Sequence, residues 1–346
     1  MMTMLKIDIE KEEYLPGETV RGTLTVMLDK PVKARKIEIT LEGKESSVIR
    51  RGSGKAKSTF QSESKIIDNA SNSCAIPGTD ILEECTASYP FEFTLPETTI
   101  PSFGPSLRYS IPDHLASKGI SRTIPEELPG KISYEIKAKI DVPRAIDPKG
   151  QAEMNVLLVP RKDVVARTIG SRLTLSMGKL YTEAYVHSDV FKPGDVISGH
   201  ILFSKDPTEK VRFVEVSLKL VITCSAQGQK ETFEQTCDVV SFPVSANNNK
   251  FSSDFTLESL PDAPCSIFGN LIKIMWFLDV KIDIPRKVDK HLRIPLQAIP
   301  MDANMPTTGT QEFHDVEWLD ATLAASADKD NADPEAIESM YKQLSI

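Results

Sequence analysis

Apolar and polar residues alternate along most of the first 300 residues of the chain. The longest run places apolar side chains at every second position from Ile272 to Ile284, and a second run does so from Ile132 to Val142. A period of two points successive side chains to opposite faces of a sheet, whereas a helix repeats every three or four residues. The pattern therefore predicts β-strands with one face on a core and the other in water.

A stretch of nine residues occurs twice, once in each half of the chain. Tyr14–Gly22 and Phe191–Gly199 share an aromatic residue, a Pro-Gly pair, an acidic residue, a β-branched residue and a final glycine at matching positions. Further matching pairs follow in the same order: Ile37–Leu41 with Val214–Leu218, Pro101–Gly104 with Pro264–Gly269, and Tyr134–Pro143 with Trp276–Pro285. Blocks repeated in one order indicate two copies of one domain.

The length of the chain fits this interpretation, since 346 residues leave room for two domains of about 150 residues each. Short alternating strands separated by Pro and Gly turns are typical of stacked antiparallel sheets. We predict an all-β chain of two tandem antiparallel β-sandwiches of immunoglobulin-like type. The expected boundaries are 1–160 and 172–296 for the sandwiches, 161–171 for the linker and 297–346 for the tail.

The first copy is longer than the second, and its extra residues fall within Lys44–Ser88 and Pro105–Pro129. Residues 44–73 are polar and predict a long hairpin with a Gly-rich basic tip. Its cations are Arg50, Arg51, Lys55 and Lys57. They could meet phosphates on a modified partner or anionic lipid. The alternative is a solvated loop that only adds solubility.

The tail is acidic and carries the whole net charge of the chain. Residues 301–346 contain ten acidic and two basic residues, and the net charge of the chain is −8. Apolar side chains recur there at helical spacing in two segments: Phe313, Val316, Leu319 and Leu323, then Ile337, Tyr341 and Leu344. Such amphipathic segments could fold into a groove of a partner or dock on the body of the chain itself. The alternative is a passive tail.

The composition indicates which partners and which cellular compartment to expect. A neutral body with an acidic tail offers no general electrostatic surface for nucleic acid, so no nucleic-acid partner is expected. Five cysteines without framework spacing favour a reducing compartment. The N-terminus lacks the pattern of a signal peptide, and no apolar run is long enough for a transmembrane helix. We expect a cytoplasmic protein, which is compatible with peripheral association with membranes.

The sequence contains no constellation that supports catalysis. The five histidines are scattered, and none has a second ligand at metal-binding spacing. Nucleophile elbows, phosphate-binding loops and dinucleotide fingerprints are absent from the sequence. We therefore predict no catalytic, metal-binding or cofactor-binding residues, no cofactor, and a protein that is not an enzyme.

The paired blocks resemble the arrestin superfamily, which includes the arrestin-domain proteins and the retromer subunits of arrestin fold. The resemblance rests on Tyr14–Gly22, Ile37–Gly43, Pro101–Gly104 and Tyr134–Val142 with their counterparts in the second half. It implies two arrestin-like domains in an adaptor or scaffold. Such an adaptor binds other proteins, often membrane cargo, and passes them to trafficking or signalling machinery.

Two rival functions come from other classes. The first is a structural subunit of a stable coat or sorting complex, which the retromer branch of the resemblance implies. The second is an enzyme or small-ligand carrier with a cavity between the sandwiches, for which a deep pocket lined by converging polar groups would be needed.

Overall fold

The computed structural model describes residues 3–52, 57–74, 81–82, 85–158, 166–175, 178–245 and 249–300. Strands account for most of these residues, as the alternating pattern predicts. The elements of the first half are β1 (Thr3–Ile9), β2 (Glu13–Tyr14), β3 (Thr19–Leu28), β4 (Val32–Lys33), β5 (Ile37–Arg51), β6 (Ser58–Cys74), β7 (Ile81–Leu82), β8 (Cys85–Thr94), α1 (Asp113–Ala116), β9 (Gly130–Ile140) and β10 (Lys149–Val156).

The second half begins with a strand at Ile169. Its elements are β11 (Ile169–Leu175), β12 (Leu180–Val186), β13 (Val190–Phe191), β14 (Val196–Lys205), β15 (Phe213–Ala226), β16 (Gln229–Pro243), β17 (Lys250–Glu258), β18 (Ile267–Phe268), β19 (Ile272–Ile282) and β20 (Lys290–Ala298). The chain is therefore all-β apart from one single-turn helix within the residues described.

Each half forms a β-sandwich of two sheets. In the first domain a sheet of order β1-β3-β8 faces one of order β2-β10-β9-β5-β6, and β4 pairs with β7 beside them. In the second domain a sheet of order β11-β12-β14-β17 faces one of order β13-β20-β19-β15-β16, which β18 extends next to β19. The inner rows of these sheets form the hydrophobic core, and its residues include Val20, Leu24, Ile136, Leu218 and Leu278.

The repeated nine-residue stretch forms the same turn in both domains. Gly17 and Gly194 have φ values of 85° and 90°, a region that glycine enters without steric cost. The acidic residue after each glycine accepts a hydrogen bond from the backbone amide three residues earlier, at 3.0 Å for Glu18 and 2.8 Å for Asp195. The Pro-Gly-acid pattern is thus explained by one turn used twice.

The final glycine of the stretch is required by a close approach of neighbouring atoms. A Cβ on Gly22 would lie 2.5 Å from the carbonyl oxygen of Asp8 and 2.5 Å from the ring of Phe91. A Cβ on Gly199 would likewise meet a carbonyl oxygen of β12 and, at 2.5 Å, the ring of Phe255. In both domains a phenylalanine from the adjacent strand occupies the space that a side chain would take.

Each domain has a buried aromatic residue on an equivalent strand, Tyr134 on β9 and Trp276 on β19. Both donate a hydrogen bond to a loop carbonyl oxygen. The hydroxyl of Tyr134 donates to the carbonyl oxygen of Ile100 at 2.6 Å, and Nε1 of Trp276 donates to that of Pro264 at 3.0 Å. Both rings are almost fully buried. A buried aromatic polar group needs such a partner, so the matching Pro-containing loops are held by matching bonds.

The sheets are antiparallel, as predicted, except at two short strands. The short strands β2 and β13 pair in parallel with β10 and β20, respectively. Each short strand directly precedes the Pro-Gly turn, where the chain crosses from one sheet to the other. The sequence pattern also contained no signal for α1.

Candidate functional site

The predicted long hairpin is present, and it brings three of the four candidate cations together. Arg50 and Arg51 end β5, where they face Thr59 and Ser58 of β6, and Lys57 immediately precedes β6. All three side chains are exposed. Lys55 lies outside the described residues. The role of these cations in binding stays a prediction.

The tip of this hairpin contacts a second hairpin in the other domain. Nη2 of Arg51 donates to the carbonyl oxygen of Lys230 at 2.7 Å. The amide of Gln227 donates to Oγ of Ser62 at 2.9 Å, and its side-chain nitrogen donates to the carbonyl oxygen of Gln61 at 3.0 Å. The β5–β6 and β15–β16 hairpins therefore meet at one edge of the molecule.

The turn of the second hairpin has the geometry that a tight two-residue connection requires. Gln227 and Gly228 both have positive φ values, 48° and 77°, as a type I′ turn demands. Both residues are exposed, as are Gln229 and Lys230 after them. The two adjacent tips, which we call the hairpin edge, thus present Arg50, Arg51, Lys57 and Lys230 to solvent.

A buried carboxylate links the two domains further along the first hairpin. Glu45 accepts hydrogen bonds from the backbone amides of Asn270 at 2.8 Å, Leu271 at 2.7 Å and Ile272 at 3.1 Å. Only 1% of Glu45 is exposed. A buried carboxylate is costly unless it is well bonded, and here the amides between β18 and β19 supply the donors. We call this arrangement the Glu45 clamp.

Two glycines make room for the clamp. A Cβ on Gly269 would lie 2.5 Å from Oε2 of Glu45. A Cβ on Gly130 would lie 2.8 Å from Cδ1 of Ile272 and 3.0 Å from the sulfur of Cys224. Glycine at these positions therefore allows the backbones of the two domains to approach closely.

The segment 105–129 of the first domain forms a second bridge to the other domain. Its target is Gln235 of β16, which is fully buried. Oε1 of Gln235 accepts bonds from the hydroxyl of Tyr109 and the amide of Thr123, both at 2.8 Å, and its amide nitrogen donates to the carbonyl oxygen of Ser121 at 2.9 Å. One buried side chain thereby fixes three points of the segment.

The helix in this segment and Lys118, which follows it, add polar contacts to the bridge. Nζ of Lys118 lies 2.7 Å from the buried carboxylate of Asp238 in β16. Nε2 of His114, in α1, lies 2.6 Å from a carboxylate oxygen of Glu258 in β17. The contact of Lys118 is an ion pair, and the near-complete burial of Asp238 strengthens it.

Arg122 holds the segment in shape. Its guanidinium donates to the carbonyl oxygens of Leu107 at 2.6 Å, Tyr109 at 3.2 Å and Ile124 at 2.9 Å. It also lies over the ring of Tyr109, 4.5 Å from the centroid, within the range of a cation–π contact. Burial raises the pKa of Tyr109 to about 12, so this hydroxyl remains a donor at physiological pH.

The outer face of the β13-β20-β19-β15-β16 sheet holds a buried ionic network around Asp279. The carboxylate of Asp279 lies 3.0 Å from Nζ of Lys219, 3.1 Å from Nε of Arg293 and 3.0 Å from Nδ1 of His291. Glu234 pairs with Lys219 at 2.6 Å and with Arg293 at 3.0 Å. We call these five residues the Asp279 cluster.

The pKa values of the cluster are shifted towards the charged forms. Burial by itself would raise the pKa of Asp279, but the hydrogen bond from His291 and the charges of Lys219 and Arg293 hold it well below its usual range. Burial opposes the charge of Glu234 as well, yet Lys219 and Arg293 lower its pKa. Every carboxylate of the cluster therefore stays ionised at neutral pH.

Beside the Asp279 cluster lie three buried apolar side chains, Val221, Met275 and Phe277. We call them the outer patch, because they point away from the domain core formed by alternate residues such as Trp276 and Leu278. Their exposed fractions are 5%, 6% and 2%, respectively. The ring of Phe277 is also approached by the guanidinium of Arg293 at 5.9 Å.

The described residues include no metal-binding cluster, and two of their cysteines are free and buried. Within them, no group of three or more histidines, cysteines and carboxylates could hold a metal ion. Cys224 and Cys237 are free and buried, and burial raises the pKa of Cys224 to about 12, so its reactive thiolate is scarce. The candidate site is the hairpin edge, where exposed cations of both domains meet.

Sequence reasoning missed the residues that join the domains, although one of them carried a signal. Glu45 is a polar residue on the inner row of β5, where Ile37, Ile39 and Leu41 are apolar. A charged residue in such a row indicates a buried partner. Gln235, which also joins the domains, carried no comparable signal, and neither did Asp279 within the second domain. The tail candidates Phe313, Val316, Leu319, Leu323, Ile337, Tyr341 and Leu344 lie outside the described residues.

Comparison with known proteins bears on the first domain. No described helix has the length and apolar character that a membrane crossing requires. No curated protein matches the chain. Residues 3–163 match the family model described as Arrestin (or S-antigen), N-terminal domain.

Proposed function

The chain is an arrestin-like protein, and we propose that it is a non-enzymatic cytoplasmic adaptor. It binds other proteins, including membrane cargo, and brings them to trafficking or signalling machinery. It needs no cofactor, and its contact with membranes is peripheral. The hairpin edge is the surface that binds the partner.

One observation carries this proposal: the hairpin edge joins exposed cations from both domains at one place. Arg50 and Lys57 come from the first domain and Lys230 from the second, and all three are exposed. Arg51 is tied to the second hairpin through its bond to Lys230. A partner at this edge therefore contacts both sandwiches at once.

The chemistry of the edge favours an acidic or phosphorylated segment of a partner protein. Guanidinium groups form paired, charge-assisted hydrogen bonds with carboxylates and phosphates. The Glu45 clamp holds the β5–β6 hairpin against the second domain, so the cations are positioned before the partner arrives. Preorganisation of this kind reduces the entropy cost of binding.

The test compares three full-length proteins expressed in cells and purified with their bound partners. The variant is Arg50→Glu with Lys57→Glu. The matched control is Lys149→Glu with Lys210→Glu, which makes the same change of charge at two exposed lysines outside the hairpin edge. We expect the wild type and the control to retain the same proteins and the edge variant to lose them about tenfold or more, since each lost charge-assisted bond is worth about 1.5–3 kcal/mol.

Equal recovery by all three proteins would overturn the role of the hairpin edge. Binding of the purified wild type to anionic vesicles alone, with no protein retained, would assign the cations to lipid. A partner recovered in equal amounts that resists high salt would instead favour the alternative, a structural subunit of a sorting coat.

A further inference from the structure

The outer face of the β11-β12-β14-β17 sheet joins a serine, a histidine and an aspartate in one chain of hydrogen bonds. Nδ1 of His200 lies 2.6 Å from Oδ1 of Asp254, and its Nε2 lies 2.7 Å from Oγ of Ser252. None of the three residues takes part in the bonds between the domains described above. A chain of bonds in this order is the arrangement that activates a serine as a nucleophile.

The pairing of β14 with β17 produces this arrangement. His200 stands opposite Asp254, and Leu202 stands opposite Ser252, in the antiparallel register. Successive side chains of a strand alternate between faces, so Ser252 and Asp254 share the outer face with His200. Ser252 and Asp254 are exposed, and the side chain of His200 is 21% exposed. The serine hydroxyl is therefore accessible to a molecule in solution.

The bonding pattern of the two strands directs the backbone amide of Ser252 to the edge of the sheet. Backbone bonds run from Lys205 to Asn249 at one end of the pairing and from Ser259 to Asp195 at the other. Hydrogen-bonded pairs recur at every second position, so the even-numbered residues of β17 direct their amides away from β14. Within the described residues β17 is the edge strand of its sheet. The amide of Ser252 is thus a donor beside the hydroxyl of the same residue.

The carboxylate of Asp254 sets the tautomer of His200. A carboxylate only accepts hydrogen bonds, so Nδ1 of the neutral imidazole carries the proton and donates to Asp254. Nε2 is then an acceptor, and the hydroxyl of Ser252 donates to it. Tyr185 stacks on the imidazole, with ring centroids 5.6 Å apart and an interplanar angle of 26°, which restricts rotation of the ring. His200 is thereby oriented to take the proton of the serine.

We propose that Ser252 is a nucleophile that accepts an acyl group from an activated ester or a thioester. The hydroxyl oxygen forms a bond to the acyl carbon while Nε2 of His200 removes the hydroxyl proton. The bond from the acyl carbon to the leaving oxygen or sulfur then breaks, and His200 gives the proton to the leaving group. The amide of Ser252 donates to the acyl oxygen while it carries negative charge. Asp254 is a positioning residue that holds His200.

The open surroundings of Ser252 limit the donor to activated acyl groups. Peptide hydrolysis uses two amides for the oxyanion, and each such donor contributes about 10²–10³ in rate, whereas Ser252 supplies one. The side chain of Asp254 is 88% exposed, so solvent screens its interaction with the imidazolium. Donors with good leaving groups therefore react, and amides do not. One transfer per chain modifies the protein itself, so it is compatible with the adaptor role proposed above and does not depend on it.

The test uses the full-length protein and p-nitrophenyl acetate, which has a good leaving group. Peptide mass spectrometry at short times gives the rate at which each serine gains an acetyl group. Within the wild type we expect Ser252 to react about a hundredfold faster than Ser253, since a positioned general base contributes about 10²–10⁴. Ser253 is the internal reference because its hydroxyl bonds the carbonyl oxygen of Asp254 and not an imidazole.

Two histidine variants separate the general base from the other imidazole of this face. His200→Gln should slow acetylation of Ser252 about a hundredfold. His187→Gln removes an exposed imidazole whose ring lies 5.7 Å from that of Tyr185, and it should leave the rate unchanged. Asp254→Asn should slow the reaction by a smaller factor, because its carboxylate is largely in solvent. The thermal unfolding midpoint of each variant should match that of the wild type.

Two outcomes would overturn the proposal. One is acetylation of Ser252 at the same rate as Ser253 in the wild type, a comparison that requires no variant to fold. The other is an unchanged rate at Ser252 in His200→Gln, which would reduce the chain of hydrogen bonds to a contact that only stabilises the strand pair. Neither outcome bears on partner binding at the hairpin edge, so the two proposals fail separately.

Discussion

The strands β9 and β19 occupy the same place in the two domains, yet their outer rows differ completely. Their inner rows match, with Tyr134 and Trp276 at equivalent positions. Outward from β9 point Ser133, Glu135 and Lys137, all of them partly exposed. Outward from β19, at the equivalent positions, point the buried residues Met275, Phe277 and Asp279.

The outer row of β9 forms a ladder of ion pairs at the surface. Lys137 pairs with Glu42 at 2.5 Å and with Glu135 at 3.2 Å, and Lys139 pairs with Glu38 at 2.8 Å. Hydrogen bonds from Lys139 and Lys36 lower the pKa of Glu38. The comparison teaches that the fold fixes the inner row, whereas the outer row reflects what lies beside each domain.

The loss of stability on replacing one charged residue should differ most between the outer rows of β9 and β19. Asp279→Asn leaves Lys219 and Arg293 without their buried counter-charge and should destabilise the protein by about 3–5 kcal/mol. The equivalent Lys137→Gln should cost less than about 1 kcal/mol, because its pairs are partly solvated. Urea denaturation followed by circular dichroism measures both. Similar costs for the two variants would refute the contrast.

Acid should affect the second domain more strongly than the first. The pKa of Asp279 is lowered in the folded protein. Its contribution to stability is therefore complete above the unfolded value of about 3.9 and is lost as the pH falls towards the lowered folded value. We expect stability to fall below about pH 4, and Asp279→Asn should flatten this dependence. Denaturation midpoints at several pH values test this, and an unchanged slope in the variant would contradict it.

Replacement of the close-packed glycines should cost the same stability in both domains. Gly22→Ala and Gly199→Ala each place a Cβ against a backbone carbonyl and a phenylalanine ring. Backbone atoms cannot move away as a flexible side chain can, so each variant should cost about 1–3 kcal/mol. Thermal unfolding provides the measurement. A cost in one domain alone would show that the repeat is not structurally equivalent at this point.

Replacement of the turn glycines should cost the least stability, and the cost should again be equal in both domains. Gly17→Ala and Gly194→Ala force alanine into φ values of 85° and 90°, at a cost of about 1 kcal/mol each. Gly104→Ala is a suitable control, because a Cβ there meets only one atom, at 4.0 Å, and its φ is not positive. Equal stability of all three variants would be inconsistent with the turn geometry.

The repeat and the inner rows could be predicted from sequence because both follow from local patterns. Alternation identified β9 and β19, and the repeated Pro-Gly-acid stretch identified matching turns. Alternation could not show that Met275 and Phe277 are buried. A two-residue period indicates which residues share a face of the sheet, but it does not indicate what covers that face. Whether an outer face is buried depends on the three-dimensional surroundings of the sheet.

The contacts between the two domains could not be predicted from the sequence for a related reason. Segment 105–129 was recognised only as extra length, since its bonds to Gln235 connect residues more than a hundred positions apart. The basic tip, in contrast, followed from a local run of Arg50, Arg51 and Lys57. Local runs place side chains near one another, whereas contacts between domains require the topology of both.

The Glu45 clamp limits how freely the two domains can diverge or be exchanged. Its donors and its acceptor belong to different copies of the ancestral unit, so neither copy carries the complete interaction. A chimaera that joins this second domain to the first domain of another two-domain chain keeps three amides that lack their carboxylate acceptor, and a glycine at position 269 that lacks its close neighbour. Recombination between the domains is therefore tolerated only when Glu45 and Gly269 are inherited together.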